Sequence, residues 1–192
     1  MGREFELKYA ATPAAQQAIR DAFGQFHPIQ METTYFDTPD GALSARHVTL
    51  RLRKENENRV CTMKTPLPDG SRGEWECHAG DIDSGVATLR ALGAPAELCD
   101  IAGSGLVAVC GARFTRLAAE IPTADGMAEL AIDSGILLGG GKEVPLCEVE
   151  LEHKTGSDRS TIQLAAAIAN RFGLIPEKKS KFRRALDLAK GE

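Results

Sequence analysis

The 192-residue sequence predicts an α+β fold, an antiparallel sheet of about eight strands curled toward a barrel, with helices packed outside it. Three observations predict this. Apolar and charged residues alternate with period two in stretches from Glu4 to Glu152, the mark of strands with one apolar face. Short turn signals (Pro39-Asp40-Gly41, "TADG", "LGGGKE") join these stretches, as antiparallel pairing requires. Helical periodicity is confined to a few segments between or after the strands.

The elements follow in order. "REFELKYA" reads as a strand with Glu4, Glu6 and Lys8 on one face and Phe5, Leu7 and Tyr9 on the other. In "ATPAAQQAIRDAFG", Thr12 is an N-cap and Pro13 the first helical residue, and Ala15, Ala18, Ile19, Ala22 and Phe23 form one face before Gly24. "QMETTYFDTPDG" is a strand rich in β-formers that ends at a turn; Tyr35 and Asp37 alternate on it, either as wall residues or, for Asp37, as a turn cap. "VTLRLRKENENRVCTMKT" reads as a hairpin turning at Glu55 to Asn58, "SRGEWECH" as a further strand, and "VATLRALG" as a short helix closed by Gly93. Three strands are expected from about Val107 to Lys154. "SDRSTIQLAAAIANRFG" is an amphipathic helix with Ile162, Ala165, Ile168, Ala169 and Phe172 on its apolar face, and "SKFRRALDLAK" a last helix capped by Ser180.

Composition narrows the function classes. With 43% hydrophobic and 26% charged residues, the chain is expected to fold as one domain over 1–192. It shows no signal-peptide pattern and no apolar run of membrane-spanning length, so a cytoplasmic location and no membrane partner are expected. The net charge of −4 argues against a nucleic-acid partner, which wants a basic surface. Five cysteines, odd in number and without a CxxC pair, indicate neither a disulfide framework nor a thiolate zinc site. Gly139-Gly140-Gly141-Lys142 is not a phosphate loop, because Ile136 and Glu143 stand where that pattern needs Gly and Ser or Thr. His27, His47 and His153 show no ligand spacing, and His78 is expected at a strand end or surface. Oligomeric state leaves no trace in the sequence.

The charged faces carry the chemistry. Read at period two they comprise Glu4, Glu6 and Lys8; Arg51, Arg53 and Glu55; Lys64; Arg72, Glu74, Glu76 and His78; Arg116 and Glu120; Glu129 and Asp133; and Glu148, Glu150 and Glu152. On any single strand such a face is the wet side of a sheet. Carboxylates two apart, however, sit roughly 7 Å from each other and repel by ~2 kcal/mol at an effective dielectric near 20. Their recurrence opposite rows of bases points inward, to the lumen of a small barrel. Clustered carboxylates demand a hard divalent cation such as Mg²⁺ or Mn²⁺. Clustered Arg and Lys demand an oxygen-rich anion, for which phosphate suits the guanidinium fork. A metal-complexed polyphosphate meets both demands. Lys178, Lys179 and Lys181 crowd a helix start, where the macrodipole disfavours cations unless an anion binds there.

Taken in order, ExExK (Glu4, Glu6, Lys8), "YFDT", "LRLR", the lysine of "TMK", "RGEWE", Arg116, "ELAID", "CEVELE" and "SKFRR" span nearly the whole chain. This set resembles the CYTH superfamily, the triphosphate tunnel metalloenzymes, and within it the bacterial inorganic triphosphatases. The resemblance implies an eight-stranded antiparallel barrel whose tunnel binds triphosphate with Mg²⁺ or Mn²⁺. It implies Glu4, Glu6, Glu148 and Glu150 as metal-binding carboxylates. It implies Lys8, Arg51, Arg53, Lys64, Arg116, Lys181 and Arg184 as a phosphate clamp, and Glu74, Glu76, Glu129 and Asp133 as further tunnel acids. Glu148, Glu150 and Lys8 are then the expected catalytic groups. Two departures stand out: Phe114 replaces a basic residue frequent in relatives, with Arg113 on the wrong strand face to substitute, and Glu152 extends the acid row toward the tunnel mouth. Expected chemistry is hydrolysis of tripolyphosphate to pyrophosphate and phosphate. Hydrolysis of thiamine triphosphate or a nucleoside triphosphate, or cyclisation of ATP as in class IV-type adenylate cyclases, is the alternative on the same scaffold; a non-catalytic polyphosphate sensor is the alternative of another class.

Overall fold

The computed structural model describes residues 2–191. Its strands are β1 (Gly2–Glu4), β2 (Glu6–Ala10), β3 (His27–Asp37), β4 (Thr49–Glu55), β5 (Asn58–Pro66), β6 (Arg72–His78), β7 (Val107–Pro122), β8 (Met127–Gly139), β9 (Lys142–Thr155) and β10 (Ile175–Pro176). Its helices are α1 (Pro13–Phe23), α2 (Ile82–Ala91), α3 (Ala96–Gly103), α4 (Asp158–Phe172) and α5 (Lys181–Lys190). All strands join one antiparallel sheet in the order β1-β6-β5-β4-β3-β7-β8-β9-β2-β10. The count is ten where about eight were expected, because the N-terminal stretch is interrupted at Phe5 and Ile175–Pro176 adds a two-residue strand.

That interruption shapes the sheet. Glu4 of β1 pairs with Arg72 of β6, while Glu6 of β2, two residues on, pairs with Glu152 of β9. One short stretch therefore holds both margins of the sheet together, and the sheet curls round with its charged face inward. The apolar face lies outward under the helices. Tyr9, Leu130, Ile132, Val149 and Leu151 pack with Ile19 of α1 and Ala165 and Ile168 of α4. Leu50, Cys61, Met63 and Trp75 pack with Val86 and Leu89 of α2 and Cys99 of α3.

Several local expectations are corrected. α3 carries no side-chain cap and only eight residues, too weak a pattern to stand out. α2 begins at Ile82, where Asp81 caps it by accepting from the Ser84 amide. In α1 the inward positions are Gln16 and Ile19, with Ala15 and Phe23 half-buried; Ala18 and Ala22 are exposed. In α4, Ile162 is 45% exposed, because the inward position beside it is taken by the fully buried Thr161, whose hydroxyl meets His153 Nδ1 at 3.1 Å.

α5 departs most from an outside-helix arrangement. Phe182 and Leu186 pack on Tyr35, and Ala185 packs with Ala112, Leu137 and Leu146, all on the cavity side of β3, β7, β8 and β9. The helix thus plugs one end of the curled sheet. Gly139 permits this approach: a β-carbon there would run into the Ala185 carbonyl oxygen and the Ala189 amide. No described helix is long and apolar enough to cross a membrane.

Candidate functional site: a charged tunnel

The curled sheet encloses a cavity of about 400 Å³ whose wall draws on every strand from β1 to β9 and on the first turn of α5. Among the residues expected at the site, Glu4, Glu6, Lys8, Arg51, Arg53, Lys64, Glu74, Glu76, Arg116, Glu129, Glu150 and Lys181 line it. Asp133, Glu148 and Arg184 do not. The two acids are fully buried beneath Lys181, and Arg184 reaches Glu148 with one Nη and Glu177 with the other at 3.7 Å. His78 is exposed at the end of β6, and Arg113 pairs with Glu143 at 3.0 Å away from the cavity, as its strand parity requires.

Strand register sets the acids in lateral rows. Glu6, Glu152 and Glu129 lie side by side across β2, β9 and β8. The next row holds Lys8 and Glu150, and the row after it Glu148, Asp133 and Arg116 across β9, β8 and β7. Most of the wall's bases are engaged by these acids. Arg116 donates to Asp133 through Nε at 2.8 Å and Nη2 at 2.7 Å, and also to Glu150. Lys181 Nζ sits 2.8 Å from Asp133 and 2.7 Å from Glu150, and touches Glu148 as well. Lys8 pairs with Glu6 at 2.7 Å, Lys64 with Glu4 and with Glu74 at 3.3 Å, and Arg53 with Glu55 and with Glu76 at 3.8 Å.

Burial and pairing pull against each other here. Burial acts to lower the Lys181 pKa, but Asp133, Glu150 and Glu148 outweigh it and hold the ammonium charged well above its ordinary range. Burial acts to raise Glu150, yet Lys181, Arg116 and Lys8 hold it well below the usual carboxylate range. Glu148 goes the other way: burial, with Glu150 adding to it, raises its pKa over the pull of Lys181 and Arg184. Glu152 is likewise raised, by burial and by neighbouring Glu129 and Glu4 against Lys154.

Two guanidiniums on the opposite wall form no ion pair, although Glu4 and Glu74 act on both from a distance, and with Glu76 they hold the Arg51 pKa up against burial. Among the described residues, Arg51 makes no hydrogen bond or ion pair, and Arg72 donates only through Nη2, to His47 O, Thr49 Oγ1 and Lys64 O at 3.1–3.4 Å. Their Nε atoms are buried without partners, as is that of Arg53. Burial lowers the pKa of Arg53 and of Arg72. A guanidinium stays protonated under such pressure, so this wall carries positive charge in want of an anion.

Arg72, Glu55, Glu152 and Lys154 also line the cavity without having been assigned a role from sequence. The period-two reading of "SRGEWECH" places Arg72 on the charged face with Glu74 and Glu76, and the structure puts it in the wall beside Glu74. Lys154 pairs with Glu152 at 2.9 Å and Glu129 at 3.6 Å. Tyr35 is a wall residue, whereas Asp37 is a turn cap that accepts from the amides of Thr38, Leu43 and Ser44. The five cysteines are free thiols, and burial raises the pKa of Cys61 and Cys110 to about 12, far from reactive.

The donor set suits a hard divalent ion. Asp133, Glu148 and Glu150 each offer an oxygen, all within 4.8 Å of one another, and the Lys181 ammonium sits among them as a cation of the chain's own. Glu4 Oε2, on the cavity wall, is buried without a hydrogen bond and has a lone pair to give.

Comparisons with known proteins agree with this architecture. A curated relative, the inorganic triphosphatase of Haemophilus influenzae, is 26% identical over 164 residues, which are 82% of this chain and 47% of the relative; the chain thus spans about half the length of that protein. A putative adenylate cyclase from Bacillus halodurans superposes with a TM-score of 0.66 at 22% identity, covering 96% of this chain and 98% of the other. A protein from Hippeastrum, described as a putative adenylyl cyclase with a dominant triphosphatase activity, superposes at 0.68 with 20% identity over 100% and 97% of the two chains. At these identities the likeness is one of fold. The CYTH domain model matches residues 2–186, nearly the entire length over which the curled sheet and its plug helix are built, and the chain belongs to the CYTH domain family.

Proposed function

We propose that this chain, read as a single CYTH-type domain over 1–192, is a metal-dependent triphosphate hydrolase. It would cleave inorganic triphosphate to pyrophosphate and phosphate inside the tunnel. The observation that carries this reading is the division of charge about the cavity: Arg51 and Arg72 line one side without an ion pair, and Glu150 lines the other in front of the buried Asp133 and Glu148. The name of the Haemophilus relative supports the same reaction.

In this reading the triphosphate binds along the β4–β6 wall, where Arg51, Arg53, Lys64 and Arg72 neutralise its charge, and meets Lys8, Arg116 and Lys181 across the cavity. Glu148 and Glu150, with Glu4 and Glu6 from the N-terminal strands, would hold Mg²⁺ or Mn²⁺. When bound, such an ion polarises phosphate oxygens or water. The residues of the chain do the rest by placement. Lys181 and Arg116, fixed by Glu150 and Asp133, present positive charge to the negative charge of the transferring group, and preorganised charge of this kind is the largest lever on phosphoryl transfer. Glu74, Glu76 and Glu129 keep the bases extended into the lumen.

A second reading has its own observation. Ile29, Met31, Phe114 and Phe182 also line the cavity, an apolar strip on which the organic part of a nucleoside or thiamine triphosphate could rest. Phosphate release from tripolyphosphate, ATP and thiamine triphosphate, each with Mn²⁺ and with a chelator, decides between them. Fastest release from tripolyphosphate, abolished by the chelator, is the expected outcome. Tight tripolyphosphate binding with no release under saturating Mg²⁺ or Mn²⁺ would identify a sensor instead, and cyclic AMP among the products from ATP would identify a cyclase.

A further inference from the structure

The acids of β8 and β9 are held from behind. Gln16 lies on the inward face of α1, one turn before Ile19, and is 6% exposed. Its Nε2 donates to the carbonyl oxygen of Asp133 at 2.9 Å and to that of Glu148 at 3.0 Å, and its Oε1 accepts from Ser134 Oγ at 2.7 Å. Asp133 and Glu148 are register partners on the two strands, and their side chains point through the sheet to meet under Lys181. One amide therefore ties together the two peptide groups from which two members of the acid trio spring.

The choice of glutamine needs a reason. α1 already docks through Ile19 and its half-buried neighbours Ala15 and Phe23. A leucine at 16 would add apolar burial without the cost of desolvating an amide. Both N–H groups and the carbonyl of Gln16 are used, and the two backbone carbonyls fix which way the amide faces, since the reversed amide would set Oε1 against them, while the Ser134 hydroxyl satisfies Oε1. A fully satisfied buried network of this kind specifies geometry.

We infer that Gln16 is a positioning residue that sets the spacing of the Asp133 and Glu148 carboxylates, and so the cation affinity of the trio they form with Glu150. This rests on the proposed metal-dependent hydrolysis. The carboxylate oxygens lie within 4.8 Å of one another. A displacement of about 1 Å at such a site can cost on the order of 10²-fold in rate.

The test uses Gln16→Met, which keeps the volume and removes the amide, and Ser134→Ala, which removes only the hydroxyl that donates to Gln16 Oε1. Mn²⁺ binding is followed by electron paramagnetic resonance on the substrate-free protein, alongside the Mn²⁺ concentration giving half-maximal tripolyphosphate hydrolysis. Both quantities are independent of the fraction of protein folded. Gln16→Met should weaken Mn²⁺ in both measurements by roughly 10-fold and lower kcat similarly, leaving KM for tripolyphosphate within about twofold; Ser134→Ala should shift the same quantities by roughly two- to threefold. Wild-type Mn²⁺ affinity in Gln16→Met, with only a lowered melting temperature, would overturn the inference and leave a docking glutamine. Should Gln16→Met not fold, unchanged Mn²⁺ affinity in Ser134→Ala does the same. Absence of Mn²⁺ binding by the unsubstituted protein would overturn the metal-dependent reading itself, and this inference with it.

Discussion

Replacing Lys181 by Met gives the sharpest test of how the tunnel is held together. The methionine keeps the aliphatic stem of the lysine and removes its charge. Lys181 is 8% exposed, and the carboxylates of Asp133, Glu148 and Glu150 around its ammonium are 0%, 0% and 8% exposed, so water screens little of the interaction. Removing one partner from such a buried cluster costs about 3–5 kcal/mol. At roughly 2–4 °C per kcal/mol for a chain of this size, the melting temperature in a chelator should fall by about 6–20 °C. Divalent ions should then restore part of the loss, because Arg116 and Arg184 alone leave the three carboxylates one positive charge short. At 100 times its Kd, Mn²⁺ contributes about 2.7 kcal/mol. Thermal melts of both proteins, followed by circular dichroism in EDTA and over a Mn²⁺ series, measure each quantity. A variant that melts with the wild type in EDTA, or that gains no more from Mn²⁺ than the wild type does, would refute the reading of Lys181 as the resident counter-ion of the trio.

Two further outcomes are expected. Arg51→Leu and Arg72→Leu should each weaken tripolyphosphate binding, measured by calorimetry in a chelator, by about 1.5–3 kcal/mol, roughly 10- to 150-fold; Arg113→Ala, outside the cavity and paired with Glu143, should change it little. Glu150 is held well below its ordinary value of 4.5, so its contribution to stability is complete above that pH and lost as the pH falls through the depressed folded-state value. Denaturant unfolding of Glu150→Gln between pH 3 and 6, in a chelator, should therefore show a shallower loss of stability on the acid side than the wild type, and parallel curves would contradict the assignment.

Much of this site was readable before any coordinates, for a definite reason. In a strand, parity alone decides the face, so Glu4, Glu6, Arg51, Arg53, Lys64, Glu129 and Glu150 could be placed together without knowing the register. Depth could not be read this way. Glu148 and Glu150 share a face, yet one lies behind the wall and the other on it, and only the position of α5 decides which. That position was hidden too. Amphipathicity says that a helix buries a face, not which side of the sheet receives it. At the plugged end the inward face is itself apolar, with Ala112, Leu137 and Leu146 on it, so the inward charges that mark the tunnel elsewhere are lost. Gln16 escaped because a lone polar residue in a helix reads as surface until its partners across the sheet are known.

The stitch made by β1 and β2 has a kinetic consequence. Residues 2–10 find their hydrogen-bonding partners at 72–74, at 148–152 and at 175–176, so this short stretch depends on partners far along the chain. Such distant pairings are entropically slow to form. Refolding should proceed with the β3–β6 meander and the β7–β9 meander assembling first and the seam zipping last. During that interval two unpaired strand edges stand open, and crowded chains at this stage would be prone to stick to one another rather than to themselves.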